Sequence, residues 1–225
     1  MSWTKQLFSS SIGRKFAMAL SALFLIIFLL QHFSINLTST FSEDLFNELS
    51  HFMGTNPLVQ FALQPVLMIG VVFHFLMGFV LEAKNRKARG VSYAKNNGAA
   101  NSSWMSRNMI YSGLFILFFL GFHLNDFWIP EMNYKYIEMN PENPSRYYEE
   151  TVHMFESPVR VGVYVLSFIF LSLHLLHGFE SAFQSIGARH NKYSPAIRKI
   201  GKLYAILIPA GFIYIALYHH IFNIH

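Results

Sequence analysis

The chain has no cysteine and few charged residues. Without cysteine it cannot form disulfides, thiolate-bound metal clusters or thioether-linked cofactors. Charged residues make up 13% of its 225 residues, whereas a typical soluble domain has about 25%. The apolar residues include 24 phenylalanines and are gathered into long blocks. This distribution is typical of an integral membrane protein.

Five blocks are long enough to cross the hydrocarbon core of a bilayer, which takes about 20 helical residues. They cover approximately residues 16–35, 59–81, 109–128, 159–179 and 203–221. The first block follows basic residues, as the core of a signal peptide does, but it is too long for one and no small-residue cleavage site follows it. The predicted fold is therefore an all-α bundle of five transmembrane helices, forming one domain over residues 1–225.

The basic residues gather on one side of this five-span arrangement. All 17 except Lys135, Arg146 and Arg160 lie in the N-terminal segment, the second loop or the fourth loop, whereas the first and third loops carry most of the acids. The positive-inside rule therefore predicts a cytoplasmic N-terminus and an outer C-terminus. Topology accounts for the net charge of +5, so we expect membrane lipid and not nucleic acid around the basic loops.

Two segments outside the spans have their own patterns. Apolar residues recur at helical spacing over residues 41–52, which predicts a short helix on the outer surface, with Thr40 and Glu43 as a capping box. The third loop has three prolines between residues 130 and 144, and this predicts a long external segment.

Histidines are the ionisable residues that recur inside the spans. His32, His74, His123 and His174 fall in four successive spans. Ionisable groups inside a bilayer are costly, so they are candidates for function. A single such histidine could simply hydrogen-bond a neighbouring helix, but one in each of four successive spans indicates a shared role.

Depth sorts these four histidines into two pairs. His32 and His123 lie about 25 and 24 Å from the cytoplasmic ends of their spans, near the outer surface. His74 and His174 lie only about 15 and 9 Å from those ends, in the inner half. Neutral imidazole is a good axial ligand for haem iron, and two facing imidazoles give a six-coordinate, electron-transferring haem. The spacing therefore predicts two haems b, one for each pair.

A weak internal repeat supports this interpretation. Gly78 and Gly178 follow His74 and His174 by four residues, and each lies on the same helical face as its histidine. A glycine at this place leaves room for a flat porphyrin against the helix.

Other ligand sets are also present. His174 and His177 have the spacing of a zinc or di-iron motif, but no carboxylate lies at a matching depth in the other spans. His219 and His220 lie at the same depth as His32, so on depth alone they compete for the outer site.

At these residues the sequence resembles the di-haem cytochrome b membrane anchors of succinate:quinone oxidoreductases. These are the succinate dehydrogenase and fumarate reductase complexes that have a single five-helix anchor. The resemblance extends over nearly the whole chain. Its matching stretches are Leu30-Gln31-His32 with Asn36, His51-Phe52-Met53, His74-xxx-Gly78, His123 and His174-xxx-Gly178.

The resemblance implies that His32 and His123 ligate an outer haem and that His74 and His174 ligate an inner one. It also implies a bacterial cytoplasmic membrane, with a flavoprotein subunit and an iron–sulfur subunit docked on the cytoplasmic face. The chain would then be an enzyme subunit without the dicarboxylate site. It would pass electrons between the iron–sulfur subunit and a quinone, menaquinone in this subfamily, bound near the outer haem. Some relatives have a proton-conducting glutamate where this chain has Ser172, so that pathway is not expected here.

Two further groups of residues are candidates for this function. The titratable residues near the outer boundary, where quinone reduction would need protons, are His51, Glu48 and Asp126. The candidates for binding haem propionates are Arg14, Lys15, Arg107 and His177. Members of the first group could equally be solvated loop residues, and those of the second could be plain topology determinants.

Two alternative functions remain open. One is a histidine-bearing transporter or proton channel without a cofactor, and the other is the cytochrome b anchor of a formate dehydrogenase or hydrogenase. A visible spectrum separates the first from the main interpretation, and the enzyme that co-purifies with the chain separates the second.

Overall fold

A computed structural model describes residues 10–88 and 108–222, which form helices and connecting loops with no strand among them. Five helices are long and apolar enough to cross a membrane, as a multi-pass membrane protein requires. They are α1 (Ser11–Thr38), α3 (Val59–Lys87), α4 (Met109–Ile137), α6 (Pro158–Ser185) and α7 (Ser194–Phe222). Two shorter helices, α2 (Glu43–Thr55) and α5 (Arg146–Phe155), lie between them.

Each predicted span lies inside one of these five helices, which confirms their number and order. The helices run further than the spans, most clearly in α4, which continues beyond residue 128 to Ile137. The predicted third span therefore ends too early, and the first part of the predicted third loop is helical. Pro130, which has no N–H to donate, lies inside this helix, in the short α-helical piece Ile129–Met132. Two π-helical segments, Leu124–Trp128 and Asn133–Ile137, flank that piece.

Helix α2 is the helix predicted from the apolar spacing, but its cap differs from the prediction. The hydroxyl of Ser42 accepts a hydrogen bond from the N–H of Leu45 at 3.2 Å. Ser42 directly precedes the helix, so it occupies the N-cap position. The predicted capping box of Thr40 and Glu43 is therefore wrong.

Four of the long helices form a ring. Helix α1 packs on α3, α3 on α4, α4 on α6, and α6 on α1, so that α1 lies opposite α4 and α3 lies opposite α6. Helix α7 packs against the outside of this ring, on α6 and α1. Helices α2 and α5 pack on each other at one end of the bundle, which we call the α2–α5 end. The opposite end is called the basic end, because α1 begins there and carries Arg14 and Lys15 in its first turns.

The apolar core lies between α6 and α7, near the α2–α5 end. Its buried residues are Phe155, Val161, Tyr164, Phe168, Ile208, Phe212, Ile215 and Ala216. Large apolar side chains on the outside of the bundle stay exposed, for example Ile69 of α3 and Phe118 of α4. A lipid environment is the solvent in which such a surface is stable.

Two glycines let α7 approach its neighbours closely. A Cβ atom at Gly201 would lie 2.7 Å from the Phe179 ring of α6, and one at Gly211 would collide with the Phe33 ring of α1. By contrast, a Cβ atom at Gly162 would meet nothing within 4 Å.

We expect Gly211→Ala to destabilise the protein by about 1–3 kcal/mol, because the Phe33 ring or the whole of α7 must move to admit the methyl group. Thermal unfolding in detergent measures this, with Gly162→Ala as the matched control. An equal melting temperature for the two variants would contradict the close packing of α7 on α1.

Candidate functional site

The four intramembrane histidines meet in two pairs across the middle of the ring. The ring centres of His32 on α1 and His123 on α4 are 5.7 Å apart. Those of His74 on α3 and His174 on α6 are 6.3 Å apart. Among these four histidines, the structure thus brings together the two pairs into which depth sorts them. Each pair joins two helices that lie opposite each other, and such facing helices supply cofactor ligands in helical bundles.

Aromatic side chains surround the pair of His32 and His123. The rings of Phe28 and Phe212 lie 5.5 and 5.7 Å from the ring of His32. Phe119, Phe127 and Tyr164 lie between 5.3 and 6.2 Å from the ring of His123. The surroundings of this pair are therefore mostly apolar. The Nδ1 atom of His123 is buried without a hydrogen-bond partner in the described part of the chain.

The pair of His74 and His174 has polar neighbours. The hydroxyl oxygen of Ser21 on α1 is 3.1 Å from Nδ1 of His74. The hydroxyl oxygen of Ser112 on α4 is 3.3 Å from Nδ1 of His174. Each serine lies on a helix that is adjacent in the ring to the helix of its histidine. The two histidines of a pair, by contrast, lie on opposite helices.

The spacing within each pair suits one metal ion held between two imidazoles. With metal–nitrogen bonds of about 2 Å, two opposed imidazoles have their ring centres about 6 Å apart. The observed separations of 5.7 and 6.3 Å lie on either side of this value. Each pair offers two nitrogen ligands, the number that iron in a porphyrin still accepts. The donor set therefore fits two haems with two histidine ligands each.

The two glycines of the repeat face methionine side chains. A Cβ atom at Gly78 would lie 3.8 Å from the terminal methyl of Met18, and one at Gly178 would lie 3.4 Å from that of Met109. Methionine is flexible and adapts to irregular spaces. The surroundings of both glycines can therefore adjust to a flat group placed against the helix.

His219 and His220 are held elsewhere in the structure. Nε2 of His219 is 2.8 Å from the hydroxyl of Ser39, and Nδ1 of His220 is 2.9 Å from the carbonyl oxygen of Phe155. His219 is only 1% exposed, and α7 continues past both histidines to Phe222.

Asp126 lies in the first π-helical segment of α4 and is 5% exposed. One of its carboxylate oxygens accepts a hydrogen bond from the hydroxyl of Tyr164 at 3.0 Å. The same oxygen is 3.2 Å from Nε of Arg160. Asp126 is therefore the buried partner of an ion pair between α4 and α6, in which Arg160 stays partly exposed. Its contacts lie on α6, not on the helix α2 that carries His51 and Glu48.

A small pocket opens at the α2–α5 end, lined in part by His51, Lys135, Glu142, Arg146 and Tyr147. The Nδ1 atom of His51 is buried without a hydrogen-bond partner among the described residues, and its Nε2 is 3.9 Å from Glu142. Glu48, one turn before His51 on α2, is exposed.

The pocket has a charged wall. Arg146 is 8% exposed, pairs with Glu131 and Glu150, and lies between the rings of Tyr134 and Tyr147. Burial by itself lowers the pKa of Arg146, but its hydrogen bonds with Glu131 and Glu150 raise the pKa overall above its ordinary value. Burial raises the pKa of Tyr147 to about 12. Arg146 therefore stays charged and Tyr147 keeps its hydroxyl proton at neutral pH.

Three of the four predicted propionate candidates lie in described residues toward the basic end. Arg14 is half-buried and Lys15 is exposed in the first turns of α1, and His177 is half-buried one turn after His174 on α6. Arg107 lies outside the residues that the structure describes.

Sequence reasoning missed Arg160, Ser21 and Ser112. A signal for the two serines does exist, because the first and third spans repeat each other with an offset of 91 residues. The identical positions are Met18/Met109, Ser21/Ser112, Leu23/Leu114, Phe24/Phe115, Phe28/Phe119, Leu29/Leu120 and His32/His123. Helices α3 and α6 also share a repeat, His74-xxx-Gly78 and His174-xxx-Gly178. The ring therefore consists of two similar units. Each unit has a long helix, a short helix and a second long helix.

Comparison of the chain with protein-family models, with curated proteins and with solved structures gives no match. The geometry of the histidine pairs and the resemblance carried by the motifs around them are what indicate a function.

Proposed function

We propose that this chain is the cytochrome b membrane anchor of a succinate dehydrogenase or fumarate reductase. Its function is to carry electrons between an iron–sulfur subunit and a membrane quinone through two haems b. His32 with His123, and His74 with His174, are the proposed axial ligands. The chain is a subunit of the enzyme, and the dicarboxylate site belongs to another subunit.

The observation that carries this proposal is the pair of histidine sites at two depths along one four-helix ring. Ser21 and His32 both lie on α1, and Ser112 and His123 both lie on α4, eleven residues apart in each case. At 1.5 Å per residue, the two histidine pairs are about 16 Å apart along the bundle. Two cofactor sites stacked in this way support electron transfer across the membrane.

Haem, when bound, supplies one-electron chemistry, and the chain sets its ligands, surroundings and access. The aromatic residues around His32 and His123 keep water away from that pair. The hydroxyls of Ser21 and Ser112 orient the other pair. Arg160 is a cation close to the pair of His32 and His123, which we call the aromatic site, because its partner Asp126 follows His123 by one turn. It is therefore a proposed partner for a propionate of the haem at that site.

The orientation follows from charge. The three cations at the α2–α5 end, Lys135, Arg146 and Arg160, are each paired with a carboxylate. Most other basic residues lie in segments joined to the basic end. We therefore propose that the basic end faces the cytoplasm of a bacterium and docks the flavoprotein and iron–sulfur subunits. In this orientation the pair of His32 and His123 holds the outer haem.

The quinone site is proposed at the pocket beside His51. The Nδ1 atom of His51 is buried without a partner among the described residues, and the hydroxyl of Tyr147 keeps its proton. Both can therefore hydrogen-bond the carbonyl oxygens of a quinone, which we propose is menaquinone. Asp126 is not proposed for this site, because Tyr164 and Arg160 already hold its carboxylate.

Purification of the full chain from membranes tests the proposal. We expect a reduced-minus-oxidised spectrum of a b-type cytochrome, and a pyridine haemochrome ratio near two haems per chain. We also expect a flavoprotein and an iron–sulfur protein to co-purify with the chain.

Each alternative has a distinct outcome. A transporter or channel without a cofactor would show no haem spectrum. A molybdenum or nickel enzyme in place of the flavoprotein would identify the anchor of a formate dehydrogenase or hydrogenase. A ratio near one haem in intact protein would contradict the assignment of two sites.

A further inference from the structure

We propose that Ser21 and Ser112 are positioning residues for the haem at His74 and His174. Each serine fixes which nitrogen of its histidine faces the iron, and each strengthens that histidine as a ligand. The inference depends on the proposed function, because it concerns the same site, but it assigns a role to two residues outside the ligand set.

The hydrogen bonds of Ser21 leave its oxygen a single role toward the histidine. Its hydroxyl donates to the carbonyl oxygen of Met18 at 2.8 Å. A serine hydroxyl has one hydrogen, so the oxygen can only accept at its second contact. That contact is Nδ1 of His74 at 3.1 Å. His74 therefore donates its Nδ1–H to Ser21, and the lone pair of the neutral imidazole is on Nε2.

Ser112 repeats this arrangement in the second unit of the ring. Its hydroxyl donates to the carbonyl oxygen of Met109 at 3.0 Å, and its oxygen is 3.3 Å from Nδ1 of His174. The same reasoning places the hydrogen of His174 on Nδ1 and the lone pair on Nε2. The two serines occupy equivalent positions of the 91-residue repeat. Both ligands of this site are thus prepared in the same tautomer.

In the described part of the chain, the pair of His32 and His123 has no hydroxyl oxygen that accepts a hydrogen bond from Nδ1 of either histidine. The neighbour of Nδ1 in His32 is the amide nitrogen of Asn36 at 3.4 Å, which is a donor group, and Nδ1 of His123 is buried without a partner in the described residues. The two sites therefore differ in the polar support of their ligands. A change at either serine should affect only the haem at His74 and His174.

The expected consequence is a change in reduction potential. A histidine that binds a metal through one ring nitrogen and donates the N–H of its other ring nitrogen to an acceptor is a more basic ligand with a fixed ring orientation. A more basic imidazole favours ferric over ferrous iron. Loss of the acceptor should therefore favour the ferrous form at this site and raise its potential.

Redox titration of the full chain in its membrane complex measures this shift. The variants are Ser21→Ala, Ser112→Ala and the double variant, and His74→Ala identifies which spectral signal belongs to this site. For each single variant, the ratio of ferrous to ferric haem at a fixed ambient potential should rise about threefold to tenfold, the effect of losing one hydrogen bond. Because tenfold corresponds to 59 mV for one electron, this is about 30–60 mV.

Ser167→Ala is the matched control. Ser167 is 1% exposed on α6, and its hydroxyl donates to the carbonyl oxygen of Val163 at 2.6 Å, as those of Ser21 and Ser112 donate to theirs. A positive shift confined to the His74–His174 signal, or loss of that signal alone, supports the inference. An unchanged potential, an equal shift of both haems, or an equal shift in Ser167→Ala overturns it. If the unaltered chain shows no haem, the proposed function itself fails.

Discussion

Replacing His174 with alanine is expected to halve the haem content of the chain while the second haem remains. The ring of His174 lies 6.3 Å from that of His74, and its Nδ1 faces Ser112. Alanine offers no nitrogen to a metal, and His174 is the residue of α6 whose ring lies beside that of His74. We expect the spectral signal of this site to disappear and that of the other site to persist.

His177→Ala is the matched control, because it removes an imidazole one turn away on the same helix. Residues three positions apart are about 60° apart around a helix, so both side chains could point into the ring. His174 is the one whose ring lies beside His74, and a Cβ atom at Gly113 of α4 would be only 3.6 Å from it. We therefore expect His177→Ala to keep both haems.

Pyridine haemochrome analysis and low-temperature spectra of the two variants measure the effect. Loss of one haem from His177→Ala, together with full haem content in His174→Ala, would show that the ligand on α6 is wrongly assigned. Loss of both haems from His174→Ala, with intact protein, would contradict the independence of the two sites.

The sequence predicts the five spans well because hydrocarbon thickness sets a length that few other structures need. It predicts the partners of the four histidines for a similar reason. Position along a span converts directly into depth, and only residues of equal depth can meet across a bundle. That rule pairs His74 with His174, but at the outer depth it leaves His219 and His220 as competitors of His32 and His123. Packing decides between them.

The extension of α4 could not be predicted in the same way. Asp126 and Pro130 favour a loop when only neighbouring residues are considered. In the folded chain Arg160 and Tyr164 of α6 satisfy the carboxylate of Asp126, and Pro130 lies between two π-helical segments of a helix that continues past it. Tertiary partners thus permit helix where the local sequence indicates its end.

Serine in an apolar span is ambiguous for a different reason. A small hydroxyl residue there usually serves close helix packing or bonds to its own helix. Ser21, Ser112 and Ser167 all donate to a carbonyl of the preceding turn. Only the first two also face a histidine, and that depends on which helices are neighbours in the ring. The 91-residue repeat marks the two serines as equivalent, but it does not identify their partners.

The burial of His219 decides which histidine ligates the haem at the aromatic site, His32 or His219. The hydroxyl of Ser39 donates to the carbonyl oxygen of Asn36 at 2.7 Å, so Nε2–H of His219 must donate to Ser39. His219 thus ties α7 to the end of α1, and its ring stacks on that of Phe155. Its nitrogen is engaged at Ser39, whereas the ring of His32 lies 5.7 Å from that of His123.

We therefore expect opposite results from His32→Ala and His219→Ala. His32→Ala should lose one haem selectively, because an axial ligand is removed from a site with no replacement at that position. His219→Ala should keep both haems but lower the free energy of unfolding by about 2–4 kcal/mol, through the cavity and the lost hydrogen bond. Ser39→Ala removes that hydrogen bond without the cavity, so it should show a smaller loss of stability and full haem content. Redox titration combined with thermal unfolding in detergent separates the two effects. A His219 variant that loses a haem at unchanged stability, beside a His32 variant that keeps both, would transfer the ligand from α1 to α7.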